Sequence, residues 1–534
     1  MTHPVLTGLA LAAGLSLVPM PTGAQQQHDH AGHGPVLGEV HFPVSCTPEA
    51  QAAFDEGMKL QHSFWYQAAD EVFRQVLERD PGCAMALWGR ALAVQDNPFI
   101  VPGMPLLRQA RAFLEEARRI GPKTEREAGF IEALSLLHAG DDPAGHPARR
   151  VQYAEAMERL HARFPDDPEV AIYTALALAV AASPADKTYA RQLRAAAILE
   201  REFERQPQHP GVAHYLIHAY DLPALAERGL PAAERYSRIA ADAPHALHMP
   251  SHIYTRVGRW EESIEANSRS AATARAREEF RDEIHALDYL VYAYLQTGQP
   301  GAARRVLDDL ARFANWSPPA PIPAAYGLAA MQARYVLERG AWEEAAALDT
   351  RLFNALQVDA ITHFARAMGA ARAGRPDAAA ADIEALRAAA AALQGRDAYW
   401  QEQVEIQRIA AEGWVAFARG ERDQGLTLLR EAAEREGRTE KHPVTPGPLA
   451  PAREQVAEML LLMDRPAEAQ REFEAVQQTE PRRFRAVYGA GRSAELAGDR
   501  EAARRYYANL LEIAAKAEMP RADLTAARNW LDRN

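Results

Sequence analysis

The sequence predicts an all-α chain of helix–turn–helix units stacked side by side, and three observations predict it. From Ala52 onward apolar residues recur at spacings of three and four, the helical period, and strand-like alternation is scarce. Short turn signals punctuate the chain: "GRW" at Gly258, "GQP" at Gly298, "GAW" at Gly340, "GRPD" at Gly374, "GER" at Gly420, "DRP" at Asp464 and "GDR" at Gly498, at intervals of 34 to 46 residues. "HYLIHAYD", His214 to Asp221, is followed 34 residues later by "HMPSHIYT", so that His214 and His218 reappear as His248 and His252. One such helix pair cannot bury its apolar face alone. Stacked neighbours bury it, and the product is a solenoid.

Composition fits that reading. The chain has 534 residues, 48% hydrophobic and 25% charged, which is globular and ample for a core. Length alone suggests three or four domains, but a continuous repeat array absorbs all of it. A formal net charge of -12 without a long basic run argues against a nucleic-acid partner. The N-terminus reads as an export signal: "VLTGLALAAGLSLV", Val5 to Val18, is a short apolar run, and "TGA" ends at Ala24 with small residues at the recognition positions. Its first residues lack Lys and Arg, which departs from the usual pattern. Residues 1–24 are expected to be cleaved, leaving a periplasmic or secreted protein. No later run is long and apolar enough for a membrane span. Residues 25–45, with "QQQHDHAGHG", show no hydrophobic period and read as a disordered His-rich leader. Cys46 and Cys83 are the two cysteines. In an oxidising compartment such a pair invites a disulfide, the alternative being two buried thiols.

Two stretches carry a family resemblance. "AFDEGMKLQHSFWYQAADEVFRQVLERDP" has Gly57, Ala69, Phe73 and Pro81, and "AVYGAGRSAELAGDREAARRYYANLLEIA" has Gly489, Gly498 and Ala503, at the spacing of the tetratricopeptide repeat. The chain resembles that family over most of residues 50–530. It also resembles a group of exported bacterial tetratricopeptide proteins, through "HSFWY", "DPGCAMALWG", "HYLIHAYD", "PHALHMPSHIYTR" and "KHPVTPGPL". The resemblance implies a right-handed superhelical solenoid whose first helices line a concave groove. Residues 46–315 would form N-terminal repeats with a His-lined groove, 316–440 degenerate middle repeats, and 441–534 a proline-rich loop and the last repeats. "WSPPAPIPAA" (316–325) and "KHPVTPGPLAPAR" (441–453) mark the breaks, and the second is stiff enough to pack on the solenoid.

Counted back from Gly258, His252, His248 and His245 lie six, ten and thirteen residues before the turn. Those offsets share one helical face, and the resemblance implies that this face lines the groove. From Gly298 the same offsets hold Tyr292, Asp288 and His285; from a turn near Ala224 they hold His218 and His214, with Asp221 at three. A His pair at i, i+4 can put two imidazoles on one metal ion, and the next helix can complete the shell. The candidate metal residues are therefore His214, His218, Asp221, His245, His248, His252, His285 and Asp288. Nitrogen and carboxylate ligands suit Zn or Cu, and either aspartate could instead fix a histidine tautomer. His62, Tyr292 and Arg256 are expected to line the groove.

Three readings stay open: a ligand- or partner-binding groove holding a transition metal, a metal-dependent hydrolase using the same residues, and a metal-free scaffold binding a protein, a peptide or a small anionic ligand. Packed structural histidines are the bland alternative. Pro250 complicates the register, since it either kinks a helix or begins one. Phe64, Trp65, Tyr66 and Trp88 read as core between repeats. No phosphate loop, GxSxG elbow or HExxH motif is present, and no organic cofactor is expected.

Overall fold

Helix follows helix through the whole of the computed structural model, which describes residues 35–313, 322–518 and 521–534. Among those residues there is no strand. The first half is built of the pairs Pro48–His62 with Tyr66–Arg79, Ala84–Gln95 with Met104–Ile120, Glu125–Leu137 with His146–Arg163, Pro168–Val180 with Ala190–Arg205, and Pro210–Tyr220 with Leu230–Ile239. Then come the broken helix Pro244–His248 and Pro250–Arg256 against Trp260–Ala276, and Phe280–Gln296 with Pro300–Asp309. The second half runs Ile322–Glu338, Trp342–Ala346, Leu356–Arg372, Ala380–Leu393, Ala398–Ala418, Arg422–Gly437, Ala452–Leu462, Pro466–Thr479, Phe484–Ala497 and Arg500–Ile513, closed by Ala522–Arg533. This is a tetratricopeptide-like helical-repeat fold. The predicted signal peptide and most of the predicted leader lie outside the described residues. No described helix is long and apolar enough to cross a membrane.

The turn signals do what their chemistry allows. Gly258, Gly298, Gly340, Gly374, Gly420 and Gly498 all have φ between 64° and 90°, and Asp464 has 58°. The left-handed conformation stops each first helix and is least costly for glycine. At the first repeat the same place is held by Phe64, at φ 55°. Between successive helices, glycine and phenylalanine set the separation. A Cβ on Gly57 or on Gly89 would stand 2.6 or 2.8 Å from the Phe73 ring, and one on Gly489 would stand 2.3 Å from Phe473.

Pro250 interrupts the helix without bending it off course. Met249 keeps helical dihedrals, φ -53° and ψ -36°, and Pro250 sits at the start of the next segment, where its missing N–H is harmless. His245, His248 and His252 therefore keep one face.

One expectation is corrected. The leader is not disordered to residue 45. Leu37, Val40 and Phe42 are buried, and the Phe42 ring meets those of Phe54, Trp88, Phe130 and Tyr173 at 5.1–6.4 Å. Glu39 N–H donates to Gln208 O at 3.0 Å. Three apolar residues are too few to show a period, yet an extended segment can seat them in a cleft that the helices already form. The bounds at 316 and 441 lie within one compact unit, Val36–Asn534. The last repeats return to the end of the first half: Trp260 Nε1 donates to Arg482 O at 3.0 Å, and Phe484 N–H to Gln296 Oε1 at 2.9 Å. The proline-rich loop enters as a strap. Arg334 donates to Pro448 O at 3.1 Å and to Gly447 O at 2.8 Å, Tyr289 OH donates to Pro443 O at 3.2 Å, and Glu440 N–H donates to Pro184 O at 2.9 Å.

Cys46 and Cys83 are joined by a disulfide, Cα–Cα 5.0 Å, across a sequence separation of 37. It ties the start of the first helix to the start of the Ala84–Gln95 helix. Closing a loop of that length constrains the unfolded chain by about 4 kcal/mol in the chain-entropy model. A Cys46→Ser/Cys83→Ser variant should therefore melt earlier in its N-terminal repeats, followed by circular dichroism without reductant. An unchanged transition would show that the bridge contributes nothing.

Glu436 ends the strap's preceding helix, and its carboxylate accepts from Ala452 N–H at 2.8 Å, capping the helix that follows. Burial raises its carboxyl to about 7 from 4.5. Between those values the folded protein holds the proton more tightly than the unfolded chain, so this group's contribution falls as pH rises from 4.5 to about 7 and stays lost above. Glu436→Gln keeps an acceptor oxygen without the charge. Its melting temperature relative to the native protein should climb from pH 5 to pH 8; a constant difference would refute the assignment.

Candidate metal centre

The duplicated histidine pair does fall on adjacent helices. Pro210–Tyr220 carries His214 and His218 and ends at Asp221. The Pro250-interrupted helix carries His245, His248 and His252, and Phe280–Gln296 carries His285. Six imidazoles form one continuous cluster, with ring centroids 5.0 Å apart for His214–His245, 6.0 Å for His245–His248, 5.9 Å for His218–His252 and 4.5 Å for His248–His285. Within it two trios converge: one ring nitrogen each of His214, His218 and His245, and of His248, His252 and His285, all lie within 4.8 Å of one another.

These residues do not line an open wall, as the repeat resemblance implied. His214, His218, His245, His248 and His252 are at most 9% exposed. The strap closes over them, with His442, Pro443 and Val444 beside His218, His245, His252 and His285. What remains is a small cavity of about 30 Å³, bordered by His218, His245, His252, His285, Phe99 and His442. That is room for a few water molecules.

Two rings of the second trio have a determinate proton inventory. Asn267 Nδ2 donates to Ser263 O at 2.7 Å, so Asn267 Oδ1 is an acceptor, and His248 Nδ1 donates to it at 2.7 Å. His252 Nδ1 donates to Asp221 Oδ2 at 2.9 Å. Each ring has thus committed its proton to an outer partner. Their Nε2 atoms, both left with lone pairs, face each other at 3.0 Å. Burial, and then the neighbouring imidazole His285, hold His248 far below its ordinary pKa; burial also lowers His252, against the pull of Asp221. Both rings are held neutral, the form that ligates metal.

The first trio is organised the same way with fewer partners. His214 Nδ1 donates to His62 O at 2.7 Å. His214 Nε2, both nitrogens of His218, and His245 Nε2 are buried with no hydrogen-bond partner among the described residues. Burial drives His214 down to about 3 and His218 and His245 well below their ordinary value. The left-handed Phe64 lays its ring against all three, at centroid distances of 4.3, 5.7 and 5.3 Å.

The aspartates divide. Burial alone would raise Asp221, but Lys441, Arg256 and His252 outweigh it and keep the carboxylate ionised. Arg256 Nε reaches Asp221 Oδ1 at 2.9 Å and Lys441 Nζ reaches Oδ2 at 3.1 Å. Asp221 orients His252 and is not itself a member of either trio. Asp288 has no histidine partner, which corrects the expectation. It pairs with buried Arg334 at 3.1 Å, and burial lifts its carboxyl to about 6. Tyr292 is likewise no groove residue: it is fully buried, its ring 5.6 Å from Trp260 and its hydroxyl accepting from Arg483 Nη1 at 3.2 Å. Arg256 borders a separate cavity of about 180 Å³ with Lys187, Tyr399 and Trp400.

His62 lies in the interior as part of a third trio with Glu169 and His209. Here each ring nitrogen has a polar neighbour. Tyr215 OH lies 2.9 Å from His62 Nδ1, and His62 Nε2 lies 3.3 Å from Glu169 Oε2. His209 Nδ1 accepts from Val212 N–H at 3.3 Å, so its Nε2 donates to Glu169 Oε1 at 2.9 Å. This trio is a hydrogen-bonded clasp. Sequence reasoning missed Glu169, His209, Asn267, Tyr289 and Lys441. For Lys441 there was a signal, the quoted "KHPVTPGPL" segment; Asn267 sits on an outer helix, and spacing gives no hint that it turns inward.

No family model matches the chain, and no curated protein does. Among solved structures it is similar to the human IFIT1 dimer with m7Gppp-AAAA, at 12% identity and TM-score 0.39, covering 86% of this chain and 95% of that one. It is also similar to yeast Tom70, at 11% identity and TM-score 0.28, covering 90% and 88%. Likenesses this distant say nothing of what the chain binds.

Proposed function

We propose that this chain is an exported helical-repeat protein that binds a transition-metal ion, Zn or Cu, through His248 Nε2, His252 Nε2 and a ring nitrogen of His285. The observation that carries the reading is the pair of Nε2 lone pairs facing each other at 3.0 Å. Two lone pairs repel at that distance, and a cation between them turns the repulsion into coordination. Ligand nitrogens about 2.0–2.1 Å from a tetrahedral ion stand about 3.3 Å apart, close to this separation. Asp221 and Asn267 supply the outer acceptors that metal-bound histidines ordinarily have. The export assignment rests on the apolar run Val5–Val18 and the small residues before Ala24.

A second reading, a metal-dependent hydrolase, is favoured by the cavity of about 30 Å³ beside His252 and His285. Three protein ligands leave a fourth position, and a water there would be activated by the ion. Loss of ester or peptide hydrolysis on chelation, and its return with metal, would support it; no turnover by metal-loaded protein would remove it.

Elemental analysis of untagged protein should find metal, and His248→Ala/His252→Ala should lose it while keeping its helical circular dichroism. Asp221→Asn should bind about 10–100-fold more weakly, the usual effect of losing an outer carboxylate. Asp288→Asn, which touches only Arg334, should leave metal content unchanged. Native protein that neither carries nor takes up metal near neutral pH would end the reading.

A further inference from the structure

We infer that His214, His218 and His245 hold a second transition-metal ion, so that the chain carries a two-ion centre of six imidazoles. The inference deepens the metal reading of the neighbouring trio and shares its chemistry, but different residues carry it. Three helical positions bring three ring nitrogens within 4.8 Å of one another in the interior. Four nitrogens of these rings are buried without a partner among the described residues. His209, by contrast, has both ring nitrogens hydrogen-bonded, to Val212 N–H and to Glu169. His214 is pre-set as a ligand, because its Nδ1 proton is given to His62 O, which leaves a buried, unpartnered Nε2.

Phe64 adds an independent mark. The repeats that end in Gly258, Gly298 or Gly340 use glycine where the chain turns left-handed; here a phenylalanine takes that conformation, which is unfavourable for a bulky residue. Its ring walls the trio on one side, and Phe99 stacks on His218 at 4.4 Å. The site is thus apolar-walled and nitrogen-lined, with no carboxylate among its three ligands. Such a set suits ions that accept neutral nitrogen, and the low charge of Cu⁺ suits a buried site without an anion better than a divalent ion does.

The test is a titration of the full untagged protein, stripped of metal, with Cu⁺ under anaerobic conditions and with Zn²⁺ in parallel, counting bound equivalents by dialysis and elemental analysis. Two equivalents of one of these ions are expected for the native protein. One is expected for His218→Gln, a volume-preserving change checked by circular dichroism, and one for His248→Ala/His252→Ala. Saturation of the native protein at one equivalent, or two equivalents retained by His218→Gln, overturns the second site. A single equivalent lost only with His248→Ala/His252→Ala would do so while leaving the first ion in place. No binding at all would overturn both.

Discussion

Asp221 is the point on which the interior turns. Its carboxylate accepts from His252 Nδ1, Arg256 Nε and Lys441 Nζ, at 2.9, 2.9 and 3.1 Å, and its own carbonyl accepts from Arg256 Nη2 at 3.2 Å. Those partners come from the next repeat and from the proline-rich strap, more than two hundred residues away in sequence. Burial pushes Lys441 down to about 8, with Arg256 pushing the same way, and Asp221 is what opposes them. One anion therefore pins the strap over the histidines and fixes the tautomer of His252. Removing a single member of such a buried set leaves the others uncompensated, at a cost of about 3–5 kcal/mol. The closing of the groove and the presentation of Nε2 are consequently one structural event.

That coupling explains why the site could be half read from the sequence. The helical period, the turn residues and the 34-residue copy are local signals, and each corresponds to a helix, a left-handed turn or a pair of adjacent histidines. The face shared by His245, His248 and His252 was legible because a helix repeats every 3.6 residues, and Met249 keeps that count through Pro250. What was not legible depends on contacts between distant segments. Asp288 occupies the same offset as His248, yet Arg334 reaches it from the following repeat and makes it an ion-pair partner. Tyr292 matches His252 by offset, but the returning repeat covers it with Arg483. The open groove was an inference from repeats in general, and the strap overrode it. The segment 36–45 looked shapeless because Leu37, Val40 and Phe42 bury themselves in clefts that exist only once the helices have packed.

Buried histidines without partners are not by themselves a metal site. His138 and His146 also have both ring nitrogens buried without a partner among the described residues, and no third ligand joins them. A lone unpartnered nitrogen costs about 1–3 kcal/mol, a sum that a large fold can carry. The six-imidazole cluster differs in two respects. Its nitrogens converge in threes, and the rings whose outer nitrogens can be followed give those protons away: His214 to a backbone carbonyl, His248 to Asn267, His252 to Asp221. Chance burial gives no reason for every such proton to point outward. Coordination does, because a ring that donates on one side must present its lone pair on the other. The clasp of His62, Glu169 and His209 shows a different arrangement in the same protein, with a carboxylate between two rings. The choice between packing and ligation is thus made by the direction of the Nδ1–H bonds, and those of His214, His248 and His252 go to partners outside the cluster.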